Sequence, residues 1–352
     1  MSLTQLARTK VQELTPYQSA RRIGGQGHIW LNANEAADSG QFSLNCERLN
    51  RYPECQPPQV IERYAAYAGV NPEQVLVSRG GDEGIELLIR TFCEPGSDRI
   101  LITSPTYGMY AISAETNGVQ VVDVPLTQTR QPDFDGIIAR LDEVKIVFLC
   151  SPNNPTGDLV DKAGLVRLLN AAQDKTLVVV DEAYIEFCPA HSQVELLNEY
   201  NNLVIIRTLS KAFGLAGIRC GFTLANPEVI GLLLKVIAPY PVAEPVAQIA
   251  AQALSEQGLV LMRSRVDEIN RIKEELAQAL LQHKQVREVF APNGNYLLVR
   301  FTPGSEIFAR MSRAGIILRD FATRPGLADC IRITIGSRAE MDAVLDVLHK
   351  EQ

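Results

Sequence analysis

KIVFLCSPNNPTGDLVDKAGLVRLLNAAQDKTLVVVD, residues 145–181, reads as strand, turn, helix and strand in that order. KIVFLC (145–150) and LVVVD (177–181) are apolar on successive positions and partly β-branched, as expected of strands covered on both faces. LVRLLNAAQ (165–173) between them has a helical pattern. The same alternation extends outward in both directions. VLVS (75–78), RILIT (99–103) and VQVVDV (119–124) precede the segment, with GIELLIRTF (84–92) as a further helix. LVIIR (203–207) and GFTLA (221–225) follow it. Strands alternating with helices predict an α/β fold, with a mainly parallel seven-stranded sheet and helices on both faces.

The texture changes after about residue 226. ANPEVIGLLLKVI reads as a helix, and a longer helical stretch runs from Val242 to His283 with a break around Gln257–Gly258. VREVFAP, NYLLVRF, GIILRD and CIRITIG then read as strands, and a last helix begins near Arg338. Few crossover helices separate these strands, so a smaller α+β domain is expected. The division is a large domain over 31–240, with 1–30 and 241–352 forming the small one. GGQG (24–27) precedes no clear helix and reads as a flexible loop.

Composition excludes several classes. The chain has 352 residues, 46% of them hydrophobic and 21% charged, which is ordinary for a globular protein. A net charge of -7 argues against non-specific attraction to nucleic acid or anionic membrane. No apolar stretch approaches the length of a membrane span. MSLTQLARTKVQEL reads as a polar amphipathic helix without the apolar core of a signal peptide. Seven scattered cysteines with no C-x-x-C pair suit a reducing compartment, so a cytoplasmic location is expected. Cys150 and Cys220 fall in apolar runs and read as core residues. The histidines at 28, 191, 283 and 349 are too dispersed for a local zinc motif, so no metal is expected.

Four segments carry chemistry. TLSKAFGLAGIRCG (208–221) follows a strand directly and sets Lys211 among hydroxyls and small residues. A lysine so placed can be desolvated into an amine nucleophile or base. Thr208 and Ser210 offer hydroxyl donors, and Arg219 a forked cation for a phosphate. Asp181, in VVVDEAYIEF (178–187), ends an apolar strand, where open α/β sheets bind ligands. Its buried carboxylate needs a cation, which a protonated pyridine nitrogen would supply. Tyr184 offers a phenol to the same ring. CSPNNPTG (150–157) is a rigid turn whose asparagines can bond a ligand. In VSRGGDEGIELL (77–88), a strand, two glycines and a helix start make a phosphate seat, with Asp82 as a candidate cap. A phosphate seat, a counter-ion for a ring nitrogen, amide and phenol donors and an amine are the groups that pyridoxal 5'-phosphate needs.

SPNNPTG, the D-E-A-Y of 181–184 and S-K-x-x-x-x-x-G-x-R at 210–219, in this order, resemble the fold-type-I aminotransferases of class I/II. LTPYQSARR (14–22), LNANE (31–35), LNRYPECQP (49–57), YLLVRF (296–301), GIILRD and CIRITIG bring the resemblance closer to the histidinol-phosphate branch. The resemblance implies a pyridoxal-phosphate transaminase working by ping-pong through pyridoxamine phosphate. Its substrates would be histidinol phosphate and 2-oxoglutarate, its products imidazole-acetol phosphate and glutamate. A decarboxylase of amino-acid phosphates and an aromatic or aspartate aminotransferase are the alternatives.

By the same resemblance, Lys211 is the lysine that carries the cofactor as a Schiff base, and Asp181 partners its pyridine nitrogen. Asn154 and Tyr184 donate to the ring hydroxyl, and Tyr107, in SPTYGMY, stacks on the ring. Gly81, Asp82, Thr208, Ser210 and Arg219 hold the phosphate. Tyr52 resembles the tyrosine that reaches the phosphate of the neighbouring subunit, which implies a homodimer with shared active sites. Arg332 resembles the arginine that clamps the substrate's anionic group, one fork serving phosphate and carboxylate alike. Arg319 and Tyr17 are expected to help with the larger phosphate. The stretch Ala36–Ala37–Asp38 departs from the aromatic or Asn plus Pro often found there.

Overall fold

The computed structural model describes residues 3–14 and 26–350. Seven strands form the main sheet: β2 (Val75–Ser78), β3 (Arg99–Ile102), β4 (Gln120–Asp123), β5 (Ile146–Cys150), β6 (Leu177–Asp181), β7 (Leu203–Thr208) and β8 (Gly221–Ala225). Their spatial order is β2-β8-β7-β6-β5-β3-β4. All neighbours are parallel except β8, which runs antiparallel to both β2 and β7. The reason is local. After β7 the chain turns back through residues 209–220 without a crossover helix, so the returning strand must run the other way.

The continuous apolar runs serve two cores. Val147, Leu149, Val178, Val180, Leu203 and Ile205 pack on one face of the sheet. The alternate residues Ile146, Phe148, Cys150, Val179, Val204 and Ile206 pack on the other. A strand with water on one face would need polar residues at every second position; these have none. Cys220 is buried as well, and all seven cysteines are free thiols.

A second, antiparallel sheet is ordered β12-β13-β10-β9, from Arg319–Asp320, Cys330–Thr334, Tyr296–Phe301 and Val286–Val289. The segment GIILRD is not one strand. Ile316–Ile317 forms β11 and pairs in parallel with β1 (Ile29–Trp30), whereas Arg319–Asp320 pairs with β13. The interruption at Leu318 lets one run serve two sheets.

The long helical stretch breaks earlier than the glycine suggests. Glu244–Ala253 and Glu256–Leu281 are separate helices, and Ser255 caps the second by accepting from the Gly258 amide at 3.2 Å. A serine cap decided the boundary, and Gly258 lies inside the first turn. The N-terminal stretch is also not one helix: Leu3–Leu6 is a 3-10 turn and Thr9–Glu13 a short α-helix. Of the GGQG stretch, Gly24 and Gly25 lie outside the described residues, and at Gly27 a Cβ would sit 2.5 Å from the Gly315 carbonyl oxygen. Close packing beside β11 requires the glycine. Among the described residues, no helix is long and apolar enough to cross a membrane.

Candidate active site

Parallel pairing brings the C-terminal ends of β5, β6 and β7 side by side. Cys150 pairs with Asp181, and Asp181 with Ile206. The turn 151–157, the segment 181–184 and the loop bearing Lys211 therefore share one sheet edge, as open α/β sheets arrange their ligand sites. Antiparallel β8 adds the fourth segment: Ser78 pairs with Gly221, which carries Gly80–Asp82 to the loop that follows β7.

Asp181 is buried, and its Oδ2 accepts from the Tyr110 hydroxyl at 2.7 Å while Oδ1 accepts from the Ala183 amide at 3.0 Å. Burial pushes its pKa up to about 6 against the lowering effect of those two donors. Lys211 donates from Nζ to the Ala33 carbonyl at 2.9 Å. Burial, then the charge of Arg332, lowers its pKa to about 8. In both groups burial favours the neutral form, and titratable groups shifted in this way cluster at functional sites.

Tyr184 is buried with its ring edge against Tyr296, centroids 5.1 Å apart. Its oxygen accepts from Asn34 Nδ2 at 3.0 Å and from Asn154 Nδ2 at 3.4 Å. The Oδ1 of Asn154 in turn accepts from Arg332 Nη1 at 2.5 Å, and Arg332 Nη2 donates to the Asn32 carbonyl at 2.8 Å. Arg332 lies on β13 directly across from Arg319 on β12. Directly paired positions on neighbouring strands point to the same face of the sheet, so both arginines belong to one face of the second sheet.

The candidate phosphate seat combines buried hydroxyls of Thr208 and Ser210 with the exposed Arg219. Arg219 donates to Asp82 Oδ2 at 3.2 Å and to Ser210 Oγ at 3.3 Å. Thr208 Oγ1 bonds Ser210 Oγ at 2.9 Å and accepts the Ser210 amide at 3.1 Å. Gly80 starts the helix Gly81–Phe92 at φ 80° with no side-chain cap, and a Cβ on it would meet Arg219 Nη2 at 2.6 Å. Gly81 has only Ile206 near its missing Cβ, at 3.2 Å. Asp82 is not the cap. It lies in the first turn and also accepts from the Tyr107 hydroxyl at 2.9 Å. Free helix-start amides, two hydroxyls and an accessible guanidinium form a cradle for a phosphate ester. With Asp181 and Lys211 alongside, these residues fit pyridoxal phosphate.

The fold thus gathers Lys211, Asp181, Tyr184, Asn154, Tyr107, Asp82, Gly81, Thr208, Ser210 and Arg219 at one edge of the main sheet, and Arg332 joins them from the middle of β13 in the second sheet. Tyr52 is exposed and stacks on Tyr240, centroids 4.4 Å apart, outside this hydrogen-bonded set. Tyr17 lies outside the described residues. Residue patterns missed Tyr110, which reads as a core aromatic, and Asn32 and Asn34, which are distant in sequence from every partner they meet. The one signal for Tyr110 was its place three residues after Tyr107, a second tyrosine one turn on, in the helix Met109–Thr116.

The model of the family described as aminotransferase class I and II matches residues 25–348. A histidinol-phosphate aminotransferase of Aeromonas hydrophila is 66% identical over 348 residues, covering 99% of this chain and 98% of that protein. The histidinol-phosphate aminotransferase of Clostridium acetobutylicum superposes with a TM-score of 0.82 at 25% identity, over 91% of this chain and 98% of its own. That of Sinorhizobium meliloti, in complex with pyridoxal-5'-phosphate, superposes with a TM-score of 0.86 at 23% identity, over 98% of each chain.

Proposed function

The chain belongs to the aminotransferase class I and II family, and on that premise we propose that it moves the amino group of histidinol phosphate to 2-oxoglutarate. Imidazole-acetol phosphate and glutamate are the products. The cofactor is pyridoxal phosphate, which supplies an electron-withdrawing ring and keeps the amino group between the two half-reactions. The observation that carries the substrate reading is the facing pair Arg319 and Arg332 beside Asn154. Two guanidinium forks suit a dianionic phosphate, and one of them serves equally for the carboxylate of glutamate. Full-length likeness to histidinol-phosphate aminotransferases supports the same reading.

Each residue has a defined task. Asp181 holds a proton at the pyridine nitrogen, which compensates its own burial. Gly81, Asp82, Thr208, Ser210 and Arg219 hold the phosphate, and Tyr107 covers the ring. Tyr184 and Asn154 bond the ring oxygen. Lys211 would take the proton from the substrate α-carbon, a role that burial favours by lowering its pKa to about 8. Arg332 orients the substrate anion, with Arg319 and Tyr17 as helpers. Residues 31–240 are read as the cofactor-binding domain, with 1–30 and 241–352 as the small domain. The exposed stack of Tyr52 on Tyr240 supports a homodimer in which Tyr52 reaches the partner's cofactor phosphate. Seven free thiols support a cytoplasmic location.

The test is a half-reaction followed by absorption. Histidinol phosphate added without a keto acid should abolish the visible band of the bound cofactor and release one imidazole-acetol phosphate per site. Adding 2-oxoglutarate should restore it. A band indifferent to histidinol phosphate would sink the substrate and leave the family chemistry standing.

A further inference from the structure

Asn34, in LNANE (31–35), is 1% exposed and held in the left-handed region at φ 54°. All its polar groups are engaged. Its N–H donates to Thr334 Oγ1 at 2.9 Å and its carbonyl accepts from Asn295 Nδ2 at 3.0 Å. Its Oδ1 accepts from the Thr334 hydroxyl at 3.1 Å, and its Nδ2 donates to Tyr184 Oη at 3.0 Å. The amide orientation follows from Thr334. That hydroxyl belongs to a residue 1% exposed, and its proton needs an acceptor. Oδ1 supplies one, so the NH2 faces Tyr184.

On its other side Tyr184 receives Asn154 Nδ2 at 3.4 Å. That amide is also fixed, because Arg332, which can only donate, occupies its Oδ1. Two donors therefore point at one phenol oxygen. A phenol has no further acceptor capacity beyond two lone pairs, and its proton is left to be given away. We propose that Asn34 is a positioning residue that fixes Tyr184 as a hydrogen-bond donor to the cofactor ring oxygen. The inference rests on the cofactor reading above and goes beyond it in explaining why the phenol points its proton outward. Charged and titratable groups facing Tyr184 are Arg332, Cys150, Asp181 and Tyr296, with Lys211 Nζ 5.7 Å from its ring centroid. Burial, opposed by Arg332, raises the phenol pKa, so the proton stays on the oxygen and is free to be donated.

The polarity can be reversed by one atom. Asn34→Asp offers Tyr184 an acceptor where it now meets a donor. Asn34→Gly deletes the amide and keeps the backbone, since glycine adopts this φ without strain. The measurement is the pH midpoint of the visible absorption change of protein loaded with pyridoxal phosphate, together with the cofactor dissociation constant. A donor on the ring oxygen stabilises its negative charge. Losing that donor makes the oxygen hold the neighbouring proton more tightly and moves the midpoint up. Asn34→Asp is expected to raise it by about one pH unit or more, the size of a charge-assisted hydrogen bond. Asn34→Gly should raise it by less. Tyr184→Phe should raise it too, and Asn34→Gly in the Tyr184→Phe background should add nothing. If Asn34→Asp does not fold, the glycine and phenylalanine pair decides alone. Unchanged midpoints at position 34 while Tyr184→Phe shifts it, or additive shifts in the double variant, would overturn the proposal and leave the cofactor reading intact. A wild-type protein that gives no visible band with pyridoxal phosphate would overturn both.

Discussion

A buried carboxylate with a pKa near 6 couples cofactor binding to pH. Asp181 is pushed up to about 6 by burial, so at pH 7 it is mostly ionised and can hold a protonated ring nitrogen. Below that value it carries its own proton and the pair is lost. Affinity for pyridoxal phosphate should therefore fall as pH drops through about 6, by up to tenfold per unit below it. Equilibrium dialysis between pH 5 and pH 8 measures this, and a flat profile would refute the role. Tyr110, fully buried, donates to the same carboxylate at 2.7 Å and favours its charged form. Tyr110→Phe should raise the Asp181 pKa and shift the affinity profile toward higher pH by about 1 unit, with a loss of roughly 1–3 kcal/mol in cofactor binding. Asp181 was legible in the sequence because an acid that ends a buried strand must meet a cation or a set of donors there. Tyr110 was not, because its partner is 71 residues away and one hydrogen bond distinguishes it from a core tyrosine.

Among elements, the strands were the most legible and their relations the least. LVVVD and GFTLA coincide with β6 and β8, since a strand covered on both faces has to be apolar throughout. The direction of β8 was not readable from its composition. It decides where the phosphate seat lies, because antiparallel pairing sets Gly221 against the turn after β2. A Cβ on Gly221 would stand 2.4 Å from the Gly80 carbonyl carbon and 2.5 Å from the Gly81 nitrogen. Both are backbone atoms that cannot swing aside. Gly221→Ala should cost about 1–3 kcal/mol of stability, and more in cofactor affinity than in fold. Thermal melts with and without pyridoxal phosphate separate the two losses, and an equal Tm shift in both would argue against a distorted seat.

At the scale of the molecule the site belongs to neither sheet alone. Arg332 comes from β13 of the second sheet and bonds Asn154, which follows β5 of the first, and the carbonyl of Asn32 after β1. Lys211 likewise reaches back to Ala33. Arg332→Ala should lower kcat/KM for histidinol phosphate by about 10²–10³ through loss of a charge-assisted contact, while the cofactor's visible band persists. Steady-state kinetics beside an absorption spectrum tests this; a loss of the band as well would mean that Arg332 supports the cofactor pocket and not the substrate.

By itself the sequence determined the strands of the main sheet, the cofactor class and the residues that end the central strands. These follow from local chemistry: apolar runs, turn residues and single groups whose burial needs a partner. Only the tertiary structure decided that Tyr110 backs Asp181, that Asn34 faces Tyr184, and that Arg319 stands opposite Arg332. The physical reason is that side chains meet through strand register and chain reversals, which join positions up to 300 residues apart and leave no periodic trace in the chain.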